Sequence, residues 1–307
     1  MKEFYSNGKL LISGEYVVLD GATALAIPTS FGQSLSIEKI EAPVLNWKSI
    51  DHQGNTWFEE SFRLEKGQIR TTSNLPEEHT KISERLQNIL TEAHKLNPAI
   101  LLEGRGYEVS SRLDFPQNWG LGSSSTLINN ISQWFDIDPY QLLQKTFGGS
   151  GYDIASAQNN QAITYTTTKE KRQVLATGFD PVFKNELFFV HLNRKQSSRD
   201  SIAHYRNQPI EKLQETVEKI TSLTHQIIAA DSIAEFELFL EIHETVISQI
   251  IQTTKIKTQL FQDYPRTIKS LGGWGGDFIL ATGAEKEKEY FRSKGYQTII
   301  PYSEMVL

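Results

Sequence analysis

The residues from Pro116 to Asn130, PQNWGLGSSSTLINN, place a Gly-Leu-Gly step and three serines directly ahead of an amphipathic run. Glycine lets a backbone approach a ligand closely. Serine ahead of a helix caps its open N–H groups, and the N-terminal end of a helix attracts anions. The combination suits a phosphate cradle. Three more glycine-containing stretches lie elsewhere: NGKLLISGEY at 7–16, GGSGYDIAS at 148–156 and LGGWGGDFI at 271–279. Taken singly, each is most often a turn, Lys9 a solvated lysine and Asp153 a helix cap. Their order and residue types together carry the signal.

Such stretches need elements to hold them. KLLISGEYVVL (9–19) and TSFGQSLSIEKI (29–40) read as strands, separated by a turn at Asp20-Gly21. Residues 43–72 continue the β pattern. Residues 77–96 read as a helix with Ile82, Leu86, Ile89, Leu90 and Ala93 on one face. YEVSSRLDF (107–115) is a strand leading into the Gly-Leu-Gly step. Beyond Gly122, Leu127, Ile128, Ile131, Trp134 and Phe135 keep helical spacing. Asp138-Pro139 caps and starts a further short helix that stops near Gly148-Gly149. GGSGYDIASAQ opens another short helix, and AITYTTT (162–168) is a strand. The charged and polar run Lys169–Gln173 marks a transition. After residue 185 the pattern is β-α-α-β-α-β: a strand at ELFFVHL (186–192), helices at about 202–230 and 233–252, a strand at DFILATG (277–283), a helix at EKEKEYFRSKG (285–295) and a strand at YQTIIPY (296–302). That order suits a two-layer α+β sandwich.

A chain of 307 residues exceeds one ordinary core and suggests two domains. The net charge of −6 gives no reason to expect a nucleic-acid or anionic-membrane partner. Cysteine is absent, which excludes disulfides, thiolate metal sites and cysteine nucleophiles. The seven histidines show no metal-ligand spacing. Gly14 and Glu15 interrupt the early apolar run, so it does not read as a signal peptide, and no segment approaches the roughly 18 apolar residues of a membrane span. These features fit a cytoplasmic protein; a small-molecule substrate and a monomer or homodimer are the accompanying expectations.

The motifs resemble those of the GHMP kinases, the superfamily of galactokinase, homoserine kinase, mevalonate kinase and phosphomevalonate kinase. GKLLISGEYVVLDGATALAIP is similar to their first motif, PQNWGLGSSS to the second and LGGWGGDFI to the third, and GYDIA resembles the signature that names one subgroup. Gly-Glu-Tyr in the first motif leans toward phosphomevalonate kinases. The resemblance implies an α+β fold of two domains. The first, at 1–180, would bind ATP and be like ribosomal protein S5 domain 2. The second, at 181–307, would be a ferredoxin-like α/β sandwich.

The resemblance also implies roles. Pro116, Trp119, Gly120, Leu121, Gly122, Ser123, Ser124 and Ser125 would surround ATP, with Ser124 contacting Mg²⁺ and Ser125 better read as part of the helix start. Asp153 falls where mevalonate kinases carry the aspartate that approaches the acceptor hydroxyl, and Lys9 on the lysine that pairs with it. A carboxylate can accept a hydroxyl proton, a neighbouring ammonium keeps it ionised, and positioning with charge stabilisation supplies most of phosphoryl transfer. Contact between Lys9 and Asp153 is therefore expected. Lys195, Ser197, Ser198 and Arg199 follow the strand at 186–192 and either hold an anionic group of the acceptor or, for the serines, cap the next helix. Glu15, Tyr16, Ser150, Gly151, Gly273, Gly275 and Gly276 complete the expected substrate contacts, although Tyr16 could equally pack. Trp274 reads as a loop anchor and Asp277 as a loop brace.

The sequence departs from mevalonate kinases in one respect. Their Mg²⁺-binding glutamate lies about eleven residues before the aspartate, where this chain has YQLLQKTFGG, with Gln141 and Gln144 and no acid. Asp136 and Asp138 are other candidates. The reading is an ATP- and Mg²⁺-dependent kinase of a mevalonate-like acceptor in isoprenoid precursor formation. The alternatives are a catalytically weak sensor of ATP and ligand, and an enzyme like mevalonate-diphosphate decarboxylase, against which Lys9 argues.

Overall fold

The computed structural model describes residues 1–65, 68–72, 76–102, 104–168 and 171–307. The transition expected from Lys169 begins outside them. Among the described residues the strands and helices run β1 (Lys2–Ser13), β2 (Ala24–Ile40), β3 (Leu45–Ile50), β4 (Thr56–Glu65), β5 (Gln68–Thr71), α1 (Glu77–Leu96), β6 (Gly106–Leu113), α2 (Ser123–Phe135), α3 (Pro139–Thr146), α4 (Tyr152–Ala157), β7 (Ile163–Thr167) and β8 (Arg172–Ala176). They continue with β9 (Leu187–His191), α5 (Ser198–Arg206), α6 (Leu213–Ala229), α7 (Ile233–Ile250), α8 (Ile256–Leu260), β10 (Ile268–Ser270), β11 (Phe278–Thr282), α9 (Glu285–Ser293), β12 (Ile299–Pro301) and α10 (Tyr302–Met305). The chain packs as two compact units, one of Met1–Gly8, Phe31–Gln117 and Leu121–Gln158, the other of Lys9–Ser30, Asn118–Gly120 and Asn159–Leu307.

In the first unit a mixed sheet runs β5-β4-β3-β6-β2. β3 lies parallel to β6, and the other pairs are antiparallel. Leu86, Ile89, Leu90 and Ala93 of α1 and Ile128, Ile131, Trp134 and Phe135 of α2 join Leu35, Ile37 and Val109 in one core. Fully burying each large apolar side chain contributes roughly 1.5–3 kcal/mol. Asp138 caps α3 as expected, accepting from the Tyr140 amide at 2.9 Å with proline at the first position.

In the second unit the start of β2 pairs with β7, and β7 with β8, all antiparallel. A separate four-stranded sheet runs β10-β11-β9-β12, also antiparallel throughout. Both β9→β10 and β11→β12 skip a neighbouring strand, which is the ferredoxin-like arrangement. The mixed large sheet and the small antiparallel one make the fold α+β, as expected.

Three local expectations differ. The strand expected through residue 19 stops at Ser13, because Gly14 (φ 89°) and Tyr16 (φ 62°) leave the β region and Val17–Asp20 close into a 3₁₀ turn. The helix expected over 202–230 is two helices, α5 and α6, since Pro209 and the left-handed Lys212 (φ 58°) lie between them. β10, with its three residues, adds a strand to the expected β-α-α-β-α-β order.

Candidate active site

In the first unit, Gly122 (φ 92°) is the N-cap of α2, and no side chain caps the helix. The serines were expected to cap it. Instead, Ser125 is buried and donates to the Gly122 carbonyl at 2.8 Å. The N–H groups of the first turn therefore keep no side-chain acceptor, which leaves an anion-binding helix end. Ser123 is half-buried and Ser124 is exposed.

A buried polar chain fixes α2. Asn130 Nδ2 donates to the Gln33 carbonyl at 2.8 Å, Ser6 Oγ to Asn130 Oδ1 at 2.7 Å, Asn129 Nδ2 to Ser6 Oγ at 2.8 Å, and Thr126 Oγ1 to Gln33 Oε1 at 2.6 Å. These residues were not singled out from the sequence, and their signal was faint: polar side chains at helical positions that face the core. α4 packs beside α2, with Gln158 Nε2 donating to Asn129 Oδ1 at 3.1 Å. Gly151 (φ 88°) is the N-cap of α4, again without a side-chain cap. Asp153 sits in its first turn, where the helix dipole favours a negative charge, and accepts from the Ile154 amide at 3.1 Å. Gln144 and Gln141 are exposed, and the Gln144 amide donates to the Gly149 carbonyl at 3.1 Å.

In the second unit, Lys9 Nζ donates to the Gly120 carbonyl at 2.9 Å. Trp119 sets its edge against Phe278 (5.4 Å, 88°), and His191 Nε2 lies 3.1 Å from the Asn118 carbonyl. The segment 118–120 is thus seated on the ends of β9 and β11. Gly120 is at φ 68°, and a Cβ there would lie 2.3 Å from the Asp277 carboxyl. The Asp277 backbone, itself left-handed at φ 51°, donates to Arg194 O and accepts from Leu192 N, both at 2.8 Å. Its Oδ1 accepts from the Gln196 amide at 3.2 Å. Burial pushes the Asp277 carboxyl above its ordinary value, against the Gln196 hydrogen bond and the charges of Lys9, Lys195 and His191.

The third glycine-rich loop packs on residues 194–201. A Cβ on Gly276 would lie 3.0 Å from Gln196 N and one on Gly273 2.9 Å from Gln196 Cγ, whereas Gly275 faces open space. Ser201 Oγ donates to the Gly273 carbonyl at 2.9 Å. Ser197 caps α5, accepting from the Asp200 amide at 3.3 Å, so the capping reading of that serine holds. Lys195, Ser198 and Arg199 are exposed. Tyr16 packs on Tyr205 (5.4 Å, 28°) and is buried.

Glu15 lies in the interior of the second unit, paired with fully buried Lys269. Lys269 Nζ also meets Glu244 Oε1 at 3.3 Å, and His243 Nε2 accepts from the Gly14 amide at 3.0 Å. Burial and then the Lys269 charge hold His243 well below its ordinary pKa, so it is neutral with its proton on Nδ1. Its 3.4 Å approach to Glu15 Oε2 is therefore not an ion pair. Lys269 and His243 were missed in the sequence. Lys269 stands in a strand of three residues, and His243 is one of two polar residues, with Glu244, among the buried positions of α7.

No family model and no curated protein matches this sequence. Solved structures do. The Methanococcus jannaschii mevalonate kinase is 12% identical, with TM-score 0.69 over 97% of this chain and 96% of that one. The Streptococcus pneumoniae phosphomevalonate kinase, solved with phosphomevalonate and AMPPNP, is 14% identical, with TM-score 0.65 over 97% and 99%. The Lactococcus lactis galactokinase, solved with galactose, is 14% identical, with TM-score 0.66 over 95% and 88%. The fold is the two-domain fold of the GHMP kinases.

Proposed function

We propose that this protein is an ATP-dependent small-molecule kinase that transfers the γ-phosphoryl group to a hydroxyl or phosphate of a mevalonate-like acid, in isoprenoid precursor formation. The observation that carries the reading is the start of α2. A left-handed glycine cap, no side-chain cap and an exposed Ser124 fit a nucleotide phosphate with its Mg²⁺. Residues 1–180 would form the ATP-binding domain and 181–307 the C-terminal domain. Pro116, Trp119, Gly120, Leu121 and Ser123 would border the nucleotide. Mg²⁺ would neutralise phosphate charge when bound, held by Ser124 and the nucleotide itself, since the stretch around Gln141 and Gln144 contains no carboxylate. Asp153 would receive the acceptor proton and Lys9 would offset charge on the transferred group. Ser150, Gly151, Lys195, Ser198, Arg199 and the third loop would hold the acceptor, with Glu15 bracing the first motif from inside. Among the described residues no helix is long and apolar enough to cross a membrane. A cytoplasmic monomer or homodimer is part of the same reading.

The test is Mg²⁺-dependent ADP production against mevalonate, phosphomevalonate, mevalonate diphosphate, homoserine and galactose. Turnover on one acceptor should fall by about 10²-fold or more in Asp153→Ala and in Lys9→Ala. Full activity in either variant removes that residue from the chemistry. ATP binding without turnover on any acceptor, and unaltered by Asp153→Ala, would favour a sensor, the reading that the missing acid near Gln144 supports.

A further inference from the structure

Asp277 has no place in the phosphoryl-transfer roles above, yet it joins three separate segments. Its carboxyl rests on the Cα of Gly120, at a distance that leaves no room for a Cβ. Gly120 in turn gives its carbonyl to Lys9 Nζ at 2.9 Å. The other carboxyl oxygen takes the Gln196 amide at 3.2 Å, and the Asp277 backbone holds Leu192 and Arg194. A non-glycine residue at φ 51° is uncommon, and aspartate is among the few that tolerate it. Such a residue persists only where its surroundings over-determine it. Around this carboxyl stand three basic side chains, Lys9, Lys195 and His191.

We propose that Asp277 is a positioning residue for Lys9: by pressing on Gly120 and holding Gln196, its carboxyl fixes the Lys9 ammonium and favours its charged form. The backbone hydrogen bonds alone would brace the loop with any side chain. What a carboxyl adds is charge, and the neighbours that sense it include the Lys9 and Lys195 ammonium groups. Asparagine is nearly the same shape, tolerates the same φ and still accepts from Gln196, so Asp277→Asn removes the charge and little else.

The assignment rests on the kinase reading only for its kinetic arm. The first arm needs no turnover. Lysines carrying ¹³C-methyl groups are titrated by NMR, with Lys9→Arg identifying the Lys9 signal. In Asp277→Asn the Lys9 ammonium should titrate lower than in the unsubstituted protein, by up to about one pH unit, because the carboxylate charge that favours its protonated form is gone. The second arm is kinetic: kcat should fall about tenfold while KM for ATP changes by less than about threefold, the pattern of a misplaced reacting group. An unchanged Lys9 titration overturns the proposal whatever the kinetics. A chain that turns over no acceptor but shifts the Lys9 titration sinks the kinase reading and leaves this assignment standing. Should Asp277→Asn fail to fold, Asp277→Gly, at home at positive φ, carries the same titration with the same expected direction.

Discussion

Lys269 is a cation with no access to water, and among the described residues its ion-pair partners are Glu15 and Glu244. Taking an ammonium out of water costs several kcal/mol, which close carboxylates repay. Removing one partner is worse than removing all, because it strands the rest. Lys269→Met should therefore cost about 3–5 kcal/mol in urea denaturation, and adding Glu15→Gln and Glu244→Gln to it should recover most of that loss. A cost below about 1 kcal/mol for the single change would mean that both carboxyls are already neutral and need no cation. The cluster also explains why the Gly-Glu-Tyr of the first motif is built as it is. Gly14 turns the chain so that its amide reaches His243, and a Cβ on it would come within 2.7 Å of Ala24. Glu15 then enters the core, and Tyr16 stacks on Tyr205. The residue types were legible in the sequence, but the partners of Gly14 and Glu15 lie more than 200 positions away, at 243 and 269.

At the scale of elements, legibility followed the length of the apolar pattern. α1 and α7, with 20 and 18 residues, and the all-apolar stretch of β9 were readable because periodicity needs several turns or a continuous run to register. β10 was not, since Ile-Lys-Ser contains a lysine that is buried only because two glutamates meet it. The start of α2 was legible as a phosphate cradle. Its capping was misjudged because the Ser125 hydroxyl turns back to a carbonyl, leaving Gly122 as the cap. What positions α2 is a set of side-chain hydrogen bonds to residues far off in sequence, which no local pattern encodes. Asn130→Ala tests that role. It leaves the Ser6 hydroxyl and the Gln33 carbonyl buried without their partner, a cost of about 2–3 kcal/mol. Since the helix start is the proposed phosphate site, KM for ATP should rise about tenfold while the acceptor KM stays within about twofold. Equal rises in both would mean general loosening.

The stability of the whole molecule should record the buried cluster through pH. Burial pushes the Glu244 carboxyl up to about 7, with Lys269 pulling it down and Glu15 pushing it further up. The unfolded chain releases that proton near the ordinary value of 4.5. Between those two points the folded protein holds more protons than the unfolded one, so the Glu244 contribution to stability declines as pH rises through this window and is gone above it. Glu15, also raised by burial, slopes the same way. His243 opposes them: the unfolded histidine takes up a proton below 6.5 and the buried one does not, so stability is lost as pH falls. The two slopes overlap, which is why the profile of the unsubstituted protein alone separates nothing. Glu244→Gln does separate them. Glutamine keeps an acceptor for the Ser270 amide, 2.7 Å away in the native protein, and stays neutral at every pH, as protonated Glu244 does. Measured by urea denaturation, the stability difference between variant and native protein should move in the variant's favour by about 1–2 kcal/mol from about pH 5 to about pH 8. Parallel profiles would mean that Glu244 ionises in the folded protein as it does in the unfolded chain, with Lys269 fully compensating its burial.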